Sequence, residues 1–489
     1  MNIGNVMGVS MLAVAAVLAG CGGGGGGGGG TPAGSPEPSP APPSGLPAAV
    51  RIDTGGGSSH PLIAGNATGQ YIVRSGGSEG GKWQNLYLSD AWTPQTQLDF
   101  SSPPNLGSQV AISKSGVSAV IFPSARDSGE RSFIQLYVEG APLPAVELPI
   151  ARSSYMRDSL PLAAGNGGEI EIAVTYARKD TECIEIAQYR RSGGWAFSPL
   201  HEPDATCAKG EPRGLAELPD GRWILTWIPD NQPARMSYSL WNSVGGWAPA
   251  NTAFEFDNTD RLGVEEDAWS HDLRVSTNGT AWLTWVNAFR ELRAVSYDSN
   301  TDIWGAPETV FQVSRPEMLG PQGIEGPLHT VANPDGRLSW VFAKLTEYES
   351  IAGVDPAVPP AFYMIEGRQG AWGSPVKIAE SMAVATIYPG FTYDPRFASN
   401  HKGDMAISVV SDGAPWALSD SDRTNGGNKI IRYSSVTGQW TTIPFLPATR
   451  ELSRDELPMS HDVAMDDDGN IMVVWSNLAG ELWSRKIPR

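Results

Sequence analysis

The stretch that decides the fold runs from Ser270 to Val310 and reads SHDLRVSTNGTAWLTWVNAFRELRAVSYDSNTDIWGAPETV. Asn278-Gly279 predicts a two-residue hairpin turn, because both residues tolerate positive φ. Around that turn the stretch predicts four short antiparallel strands: Leu273 to Ser276, Ala281 to Val286, Leu292 to Tyr297, and a fourth from Trp304 to Val310. Such a small sheet must pack against neighbours to bury its two faces.

The same pattern recurs about eight times. The turn glycines that mark it are Gly69, Gly116, Gly168, Gly221, Gly279, Gly336, Gly403 and Gly469. Six residues after each glycine stand mostly large apolar residues of the second strand: Ser75, Phe122, Val174, Trp227, Trp285, Phe342, Val409 and Trp475. A second series marks the fourth strand and is followed within two to four residues by proline: Trp92, Trp195, Trp247, Trp304, Trp372 and Trp440.

A repeat of ~50 residues built from four short strands is typical of a β-propeller. We therefore expect an all-β protein with one propeller of eight four-stranded blades over residues 50–489, seven being the alternative. The last unit offers only three strands, whereas Val50 to Asp53 is a strand-like piece without a hairpin partner. We predict that this N-terminal strand completes the last blade and closes the ring.

Composition excludes one class of partner. The net charge is −18, and binding of nucleic acid requires a basic surface. We therefore expect no DNA or RNA partner, and we expect the protein to be a soluble, monomeric propeller apart from its N-terminal segment.

The N-terminal residues predict export. Val6 to Leu18 is an apolar run of 13 residues, too short to span a bilayer, which needs ~20. The run ends in Leu18-Ala19-Gly20-Cys21, which resembles a bacterial lipobox. The resemblance implies that residues 1–20 are a signal peptide and that Cys21 is acylated, for example with palmitate. Gly22 at the next position resembles outer-membrane lipoproteins, so the expected location is the cell envelope, on either its periplasmic or its surface side.

Residues 21–49 predict a tether. Gly22 to Gly30 is an unbroken glycine run, and Thr31 to Ala49 is rich in Pro, Ser and Ala. Neither part can bury a core, so both should remain extended or disordered.

Strand direction sorts the loops onto two faces. The turns between strands 1 and 2 and between strands 3 and 4 are short and share one face, the short-turn face. The long, irregular loops share the other, the long-loop face, where ligand binding is expected. Cys183 and Cys207 both fall on the long-loop face, and in an oxidising compartment we expect them to form a disulfide.

Polar residues recur where the first strand of each unit enters from the long-loop face, at the mouth of the central channel. These candidate ligand-binding residues are Arg157, Asp158, Arg213, His271, Asp272, Asp394, Arg396, His461 and Asp462. They could bind a polar ligand, hold a cation such as Ca²⁺ through oxygen atoms, or hydrogen-bond each other and the backbone. No cofactor is otherwise implied.

Two further patterns suggest chemistry. Ser-His-Asp occurs at Ser270 to Asp272 and at Ser460 to Asp462. Neighbouring strand residues point to opposite faces, so neither is expected to act as a catalytic triad. Trp269 and Trp416 fall outside the tryptophan repeat and are candidates for stacking on a sugar.

The repeats resemble those of bacterial sialidase-like propellers, whose turns between strands 3 and 4 carry an Asp box. Ser296, Asp298 and Trp304 approximate that box, with Asn300 in the glycine position, and Ser434, Gly438 and Trp440 form a second copy. Asp boxes are structural, and the catalytic residues of sialidases find no matching positions here.

Three functions remain open from the sequence. The first is a lipid-anchored, non-enzymatic propeller that binds a glycan or protein on its long-loop face. The second is a sialidase-like glycoside hydrolase or lyase that uses channel-mouth carboxylates such as Asp158, Asp272 or Asp462. The third is a scaffold in an envelope assembly. Free carboxylates paired at ~5–5.5 or ~6.5–9.5 Å would favour the hydrolase, and salt-bridged ones would favour the binding protein.

Overall fold

A computed structural model describes residues 45–53, 58–77, 82–98, 109–127, 129–150, 160–202, 207–230, 232, 235–256, 271–286, 291–311, 329–344, 361–380, 395–410, 427–448, 456 and 458–489. All regular structure in these residues is β, apart from a single 3₁₀ position at Glu456. No helix in the described residues is long and apolar enough to cross a membrane.

The strands form eight antiparallel sheets, which are the eight predicted blades. Blade 1 contains β2 (Ser58–Gly65), β3 (Tyr71–Gly77), β4 (Lys82–Leu88), β5 (Ala91–Trp92) and β6 (Thr96–Leu98). Blade 2 contains β7 (Gln109–Ile112), β8 (Ser118–Asp127), β9 (Gly129–Val138), β10 (Ala141–Pro142) and β11 (Val146–Leu148). Blade 3 contains β12 (Leu162–Ala164), β13 (Ile172–Ala177), β14 (Ile184–Arg190) and β15 (Gly194–Pro199). Blade 4 contains β16 (Gly210–Glu217), β17 (Trp223–Pro229), β18 (Arg235–Asn242), β19 (Gly246–Trp247) and β20 (Asn251–Glu255).

The second half of the ring repeats this plan. Blade 5 contains β21 (Asp272–Val275), β22 (Thr280–Val286), β23 (Leu292–Asp298), β24 (Ile303–Trp304) and β25 (Glu308–Phe311). Blade 6 contains β26 (His329–Ala332), β27 (Leu338–Lys344), β28 (Ala361–Arg368), β29 (Ala371–Trp372) and β30 (Val376–Glu380). Blade 7 contains β31 (Arg396–Ser399), β32 (Met405–Val409), β33 (Gly427–Ser434) and β34 (Gln439–Ala448). Blade 8 contains β35 (Pro458–Met465), β36 (Ile471–Asn477), β37 (Leu482–Ile487) and, from the N-terminal end of the chain, β1 (Val50–Arg51).

The hairpin turn differs from the prediction. Ser276 N–H donates to Thr280 O (2.8 Å) and Gly279 N–H donates to Ser276 O (3.0 Å), so three residues, not two, lie in the loop. Of the three loop residues, only Gly279 has positive φ (95°). This is a type I turn followed by a glycine bulge, and the same pair of hydrogen bonds recurs in blades 1, 2, 4, 6, 7 and 8.

The core lies between the blades rather than within one of them. Among the described residues there are eight hydrophobic clusters, and each joins two successive blades. The large second-strand residues lie in these clusters; Trp227, Trp285 and Phe342 are almost fully buried. One cluster joins blade 8 to blade 1, so the stack closes into a ring.

The N-terminal strand closes the ring as predicted. Val50 pairs with Ser484 and Arg51 with Trp483, and Ile52 N–H donates to Leu482 O (2.9 Å). The packing begins before β1, because Leu46 contacts the cluster between blades 7 and 8. We call residues 46–53 the clasp.

Cys183 and Cys207 form a disulfide with their Cα atoms 5.6 Å apart. The bond ties the turn between the second and third strands of blade 3 to the segment that leads into blade 4. Both cysteines therefore lie on the long-loop face, as predicted from the strand directions.

Candidate functional site

The inner strand of each blade is hydrogen-bonded on one side only, so eight strand edges face the central channel. Within the channel lies a cavity of about 450 Å³ lined by inner strands of blades 3 to 7 and by Gln109 of blade 2. A second cavity of about 510 Å³ lies among the turns of the short-turn face. The two share Asn166, Glu217, Val275 and His401, so together they form one continuous channel.

Asp272 is the centre of the first polar cluster. Its Oδ2 accepts from Arg274 Nε (2.8 Å) and from Thr330 Oγ1 on blade 6 (2.6 Å). The carboxylate is therefore neutralised, and it links blade 5 to blade 6. The Arg274 side chain is 45 % exposed although it stands on an inner strand. Since Arg274 also lines the cavity, its guanidinium is accessible from the channel.

A second cluster joins blades 7, 8 and 1. Asp462 accepts from Ile63 N (2.9 Å) and from Val463 N (2.9 Å). Burial raises the pKa of Asp462 to about 6, although Arg396 and the two amides act in the opposite direction. On the neighbouring strand position, His461 Nε2 lies 3.1 Å from Ser408 O, and burial lowers its pKa to about 4.

Two more histidines are held neutral beside the channel. Burial lowers the pKa of His271 well below its usual range, with the Arg213 charge acting in the same sense. Burial also lowers the pKa of His329 to about 3, with Arg274 adding to the effect and Asp272 opposing it. His271 stacks on Trp285 and His329 on Phe397, so both rings pack as aromatic groups.

Arg213 makes an ion pair with Glu211 (2.5 Å) on the same strand. Its side chain is only 8 % exposed, whereas that of Glu211 is 45 % exposed. The described arginines and carboxylates on this part of the channel are thus largely paired with each other.

The structure brings the predicted residues into two groups rather than one ring. Arg213, His271 and Asp272 belong to blades 4 and 5, and Arg396, His461 and Asp462 belong to blades 7 and 8. The remaining predicted positions lie outside the described residues: Cys21, Arg157, Asp158, Trp269, Asp394 and Trp416. Most of the long-loop face also lies outside them, so its role stays a prediction.

Sequence reasoning missed the polar lining of the channel near the short turns. Glu217, buried at the end of β16, accepts the backbone N–H of Asn166 in the turn of blade 3. Asp467 accepts from His401 N (3.1 Å) across the gap between blades 7 and 8. The signal was present in the residues just before each turn glycine, which can reach the preceding or following blade.

The described residues contain no group of three or more His, Cys, Asp or Glu side chains able to hold a metal ion. Two of the four aspartates proposed as Ca²⁺ ligands, Asp272 and Asp462, instead accept from arginine, threonine or backbone donors. The other two are not described. Calcium at the channel mouth therefore remains a prediction.

No protein-family model and no curated protein matches the chain. Several solved structures are similar to the chain at low identity. A mutant of the lectin from Aleuria aurantia in complex with Fucalpha1-6GlcNAc is 16 % identical, with TM-score 0.36, and the match covers 65 % of this chain and 95 % of the lectin. AofleA from Arthrobotrys oligospora is 11 % identical (TM-score 0.37; 68 % and 89 % covered), and the polysaccharide lyase Uly1 is 11 % identical (0.44; 82 % and 94 %). At these scores the similarities carry no argument about ligand or activity.

Proposed function

We propose that this protein is an exported, lipid-anchored propeller that binds a glycan, without catalysis, through the long-loop end of its channel. The observation that carries the proposal is the state of the described carboxylates on the inner strands. Glu211 and Asp272 are paired with arginines, and Asp462 and Glu217 are held by backbone amides. A protein ligand on the same face is the alternative.

Glycoside hydrolysis needs two carboxyl groups that can reach the same bond, one of them free to give or take a proton. Asp272 already accepts hydrogen bonds from Arg274 and Thr330, so its carboxylate is engaged within the protein. Asp462 is partly buried and accepts from an amide of blade 1, so its carboxylate links blade 8 to blade 1. These arrangements support a binding role over an acid–base one.

The channel suits a ligand rich in hydroxyl groups. Its volume falls in the range of small-molecule sites, ~300–1,000 Å³. Its lining combines the inner strand edges with the partly exposed amide side chain of Gln109. Arg274 adds a fork of donors that remains partly exposed. The lipid anchor is supported by the sequence Leu18-Ala19-Gly20-Cys21.

Replacing Arg274 tests the site. We expect Arg274→Gln to weaken glycan binding by about tenfold or more, since it removes a charged donor worth ~1.5–3 kcal/mol from the channel. The measurement is a glycan array with the full-length protein, followed by titration calorimetry with the best-bound glycan. Fluorogenic glycosides are assayed in parallel.

Arg337→Gln is the matched control. Arg337 bonds Asp335 through Nε at 2.7 Å with the same two-residue spacing and a similar exposed fraction, but at the edge of blade 6 rather than in the channel cavity. It should leave affinity unchanged. Equal loss of affinity in both variants would mean that the ligand binds elsewhere. If no glycan bound, the proposal of a glycan ligand would be wrong. If a glycoside were turned over, the proposal of a non-enzymatic role would be wrong.

A further inference from the structure

The clasp enters blade 8 from the short-turn face. β37 ends there, because Arg489 N–H donates to Asn470 Oδ1 beside the turn of blade 8 (3.3 Å). β1 runs antiparallel to β37, with Val50 opposite Ser484. Residues 46–49 of the clasp, which come before β1, therefore lie toward the short-turn face.

Exposed aliphatic side chains mark the same face. Among the large hydrophobic side chains that the structure describes, the three most exposed are Val244 (98 %), Val436 (78 %) and Ile303 (63 %). All three stand in or beside the turn between the third and outer strands, in blades 4, 7 and 5. The equivalent turns of the other blades carry polar residues: Asp90 in blade 1, Glu139 in blade 2, Ser192 in blade 3 and Gln369 in blade 6.

We propose that the short-turn face rests on a lipid surface, with Val244, Ile303 and Val436 in contact with the bilayer interface. The proposal rests on the proposed lipid anchor. The three side chains stand on different blades of one face, and the clasp, which supplies the outer strand of blade 8, enters the ring from the same face. Asp302, the acidic neighbour of Ile303, is already bonded by Arg222 and Tyr297, so its charge is partly neutralised near the lipid.

Each tip alone would bind weakly, because full burial of a Val or Ile side chain is worth ~1.5–3 kcal/mol. The tether changes this balance. The composition of residues 21–45 predicts a partly flexible chain with an end-to-end distance of roughly 30 Å. A tethered contact is intramolecular, so a weak surface can still be occupied most of the time. The long-loop face would then point away from the membrane.

Lysine labelling tests this orientation within one molecule. Lys114 and Lys402 lie on exposed short turns, and Lys179 and Lys209 lie on the long-loop face. The full-length, acylated protein is treated with a membrane-impermeant amine reagent in detergent and on phosphatidylcholine–phosphatidylglycerol vesicles, and labelling is read by mass spectrometry. We expect Lys114 and Lys402 to be protected several-fold on vesicles relative to Lys179 and Lys209.

Charged residues in place of the three exposed aliphatic side chains should abolish the protection of Lys114 and Lys402. The triple variant Val244→Asp, Ile303→Asp and Val436→Asp should label as it does in detergent while still floating with the vesicles. Val376→Asp with Leu478→Asp, which changes exposed aliphatic residues elsewhere, should remain protected. Floating protein with equal labelling of both lysine pairs would overturn the orientation but not the anchor. Protein that does not float would overturn the anchor, and with it this inference, while glycan binding would stand.

Discussion

Deletion of Ala48 to Asp53 is expected to lower the Tm by roughly 5–10 °C, because it removes the strand that closes the ring. The six residues contact three blades. Ala49 packs in the cluster between blades 7 and 8, β1 pairs with β37 of blade 8, and Ile52 packs in the cluster between blades 8 and 1.

Polar contacts add to this packing. Asn85 of blade 1 donates to Ile52 O (2.9 Å), and Ser484 donates to Val50 O (3.4 Å). Arg51 bridges Asp53 (2.8 Å) and Glu481 (2.5 Å). Because the Arg51–Glu481 pair is partly exposed, we expect most of the effect from the buried side chains and the lost strand pairing.

The size of the expected decrease in Tm follows from these contacts. Burial of Ile52 contributes ~1.5–3 kcal/mol, and the strand and side-chain hydrogen bonds contribute ~1 kcal/mol each, about 5 kcal/mol in total. For a domain of this length each kcal/mol shifts the Tm by about 1–2 °C. The measurement is differential scanning calorimetry of the full-length protein.

Deletion of Gly22 to Gly27 is the control, since it shortens the chain by the same six residues within the predicted tether. It should leave the Tm unchanged. A second variant, Ile52→Asp, keeps the chain length and places a charge in the cluster between blades 8 and 1, and it should also lower the Tm. If the clasp deletion melted at the wild-type temperature, the N-terminal strand would contribute nothing to closure.

The fold could be predicted because its determinants are local and repeated. A glycine such as Gly279 is required where φ is positive, and a large side chain such as Trp285 is required where two sheets meet. In most blades the large side chain follows six residues after the turn glycine, so each blade supports the assignment of the others. The clasp could be predicted from the missing strand in the last unit.

The site could be predicted only in part, because its contacts cross from one blade to the next. Nothing near Asp272 in the sequence indicates Thr330, which is 58 residues away and bonds the same carboxylate. Ile63 and Asp462 are 399 residues apart and meet only because the ring closes. The turn type was also wrong in detail, since Asn-Gly suits a two-residue loop and a three-residue loop with a glycine bulge equally well.

Acidification from pH 6.5 to pH 4 should change the stabilities of Asp462→Asn and His461→Gln, each relative to wild type, in opposite directions. His461 is 5 % exposed, and burial holds its pKa at about 4 in the folded protein. An unfolded histidine has a pKa near ~6.5. Below that pH the unfolded state takes up a proton that the folded state does not, so the folded state loses ~3 kcal/mol by pH 4.

The contribution of Asp462 to stability changes in the opposite direction as the pH falls. Burial raises its folded pKa to about 6, whereas an unfolded aspartate titrates near ~3.9. As the pH falls through 6, the folded state takes up the proton first and gains ~2 kcal/mol by pH 4. In the wild-type protein the two neighbouring residues should therefore cancel each other over this range. Arg396 faces both, and it disfavours the charged histidine while favouring the charged aspartate.

Single substitutions should expose the two contributions. Relative to wild type, Asp462→Asn should lose about 2 kcal/mol of stability between pH 6.5 and pH 4, and His461→Gln should gain about 2–3 kcal/mol. The measurement is urea unfolding at half-unit steps of pH, and the slope against pH, not the stability at pH 7, is the readout. The double variant removes both contributions and should return to the wild-type slope. If both single variants had the same slope of stability against pH as wild type, neither residue would keep its shifted pKa in the folded ring. The electrostatics described for the cluster between blades 7, 8 and 1 would then be wrong.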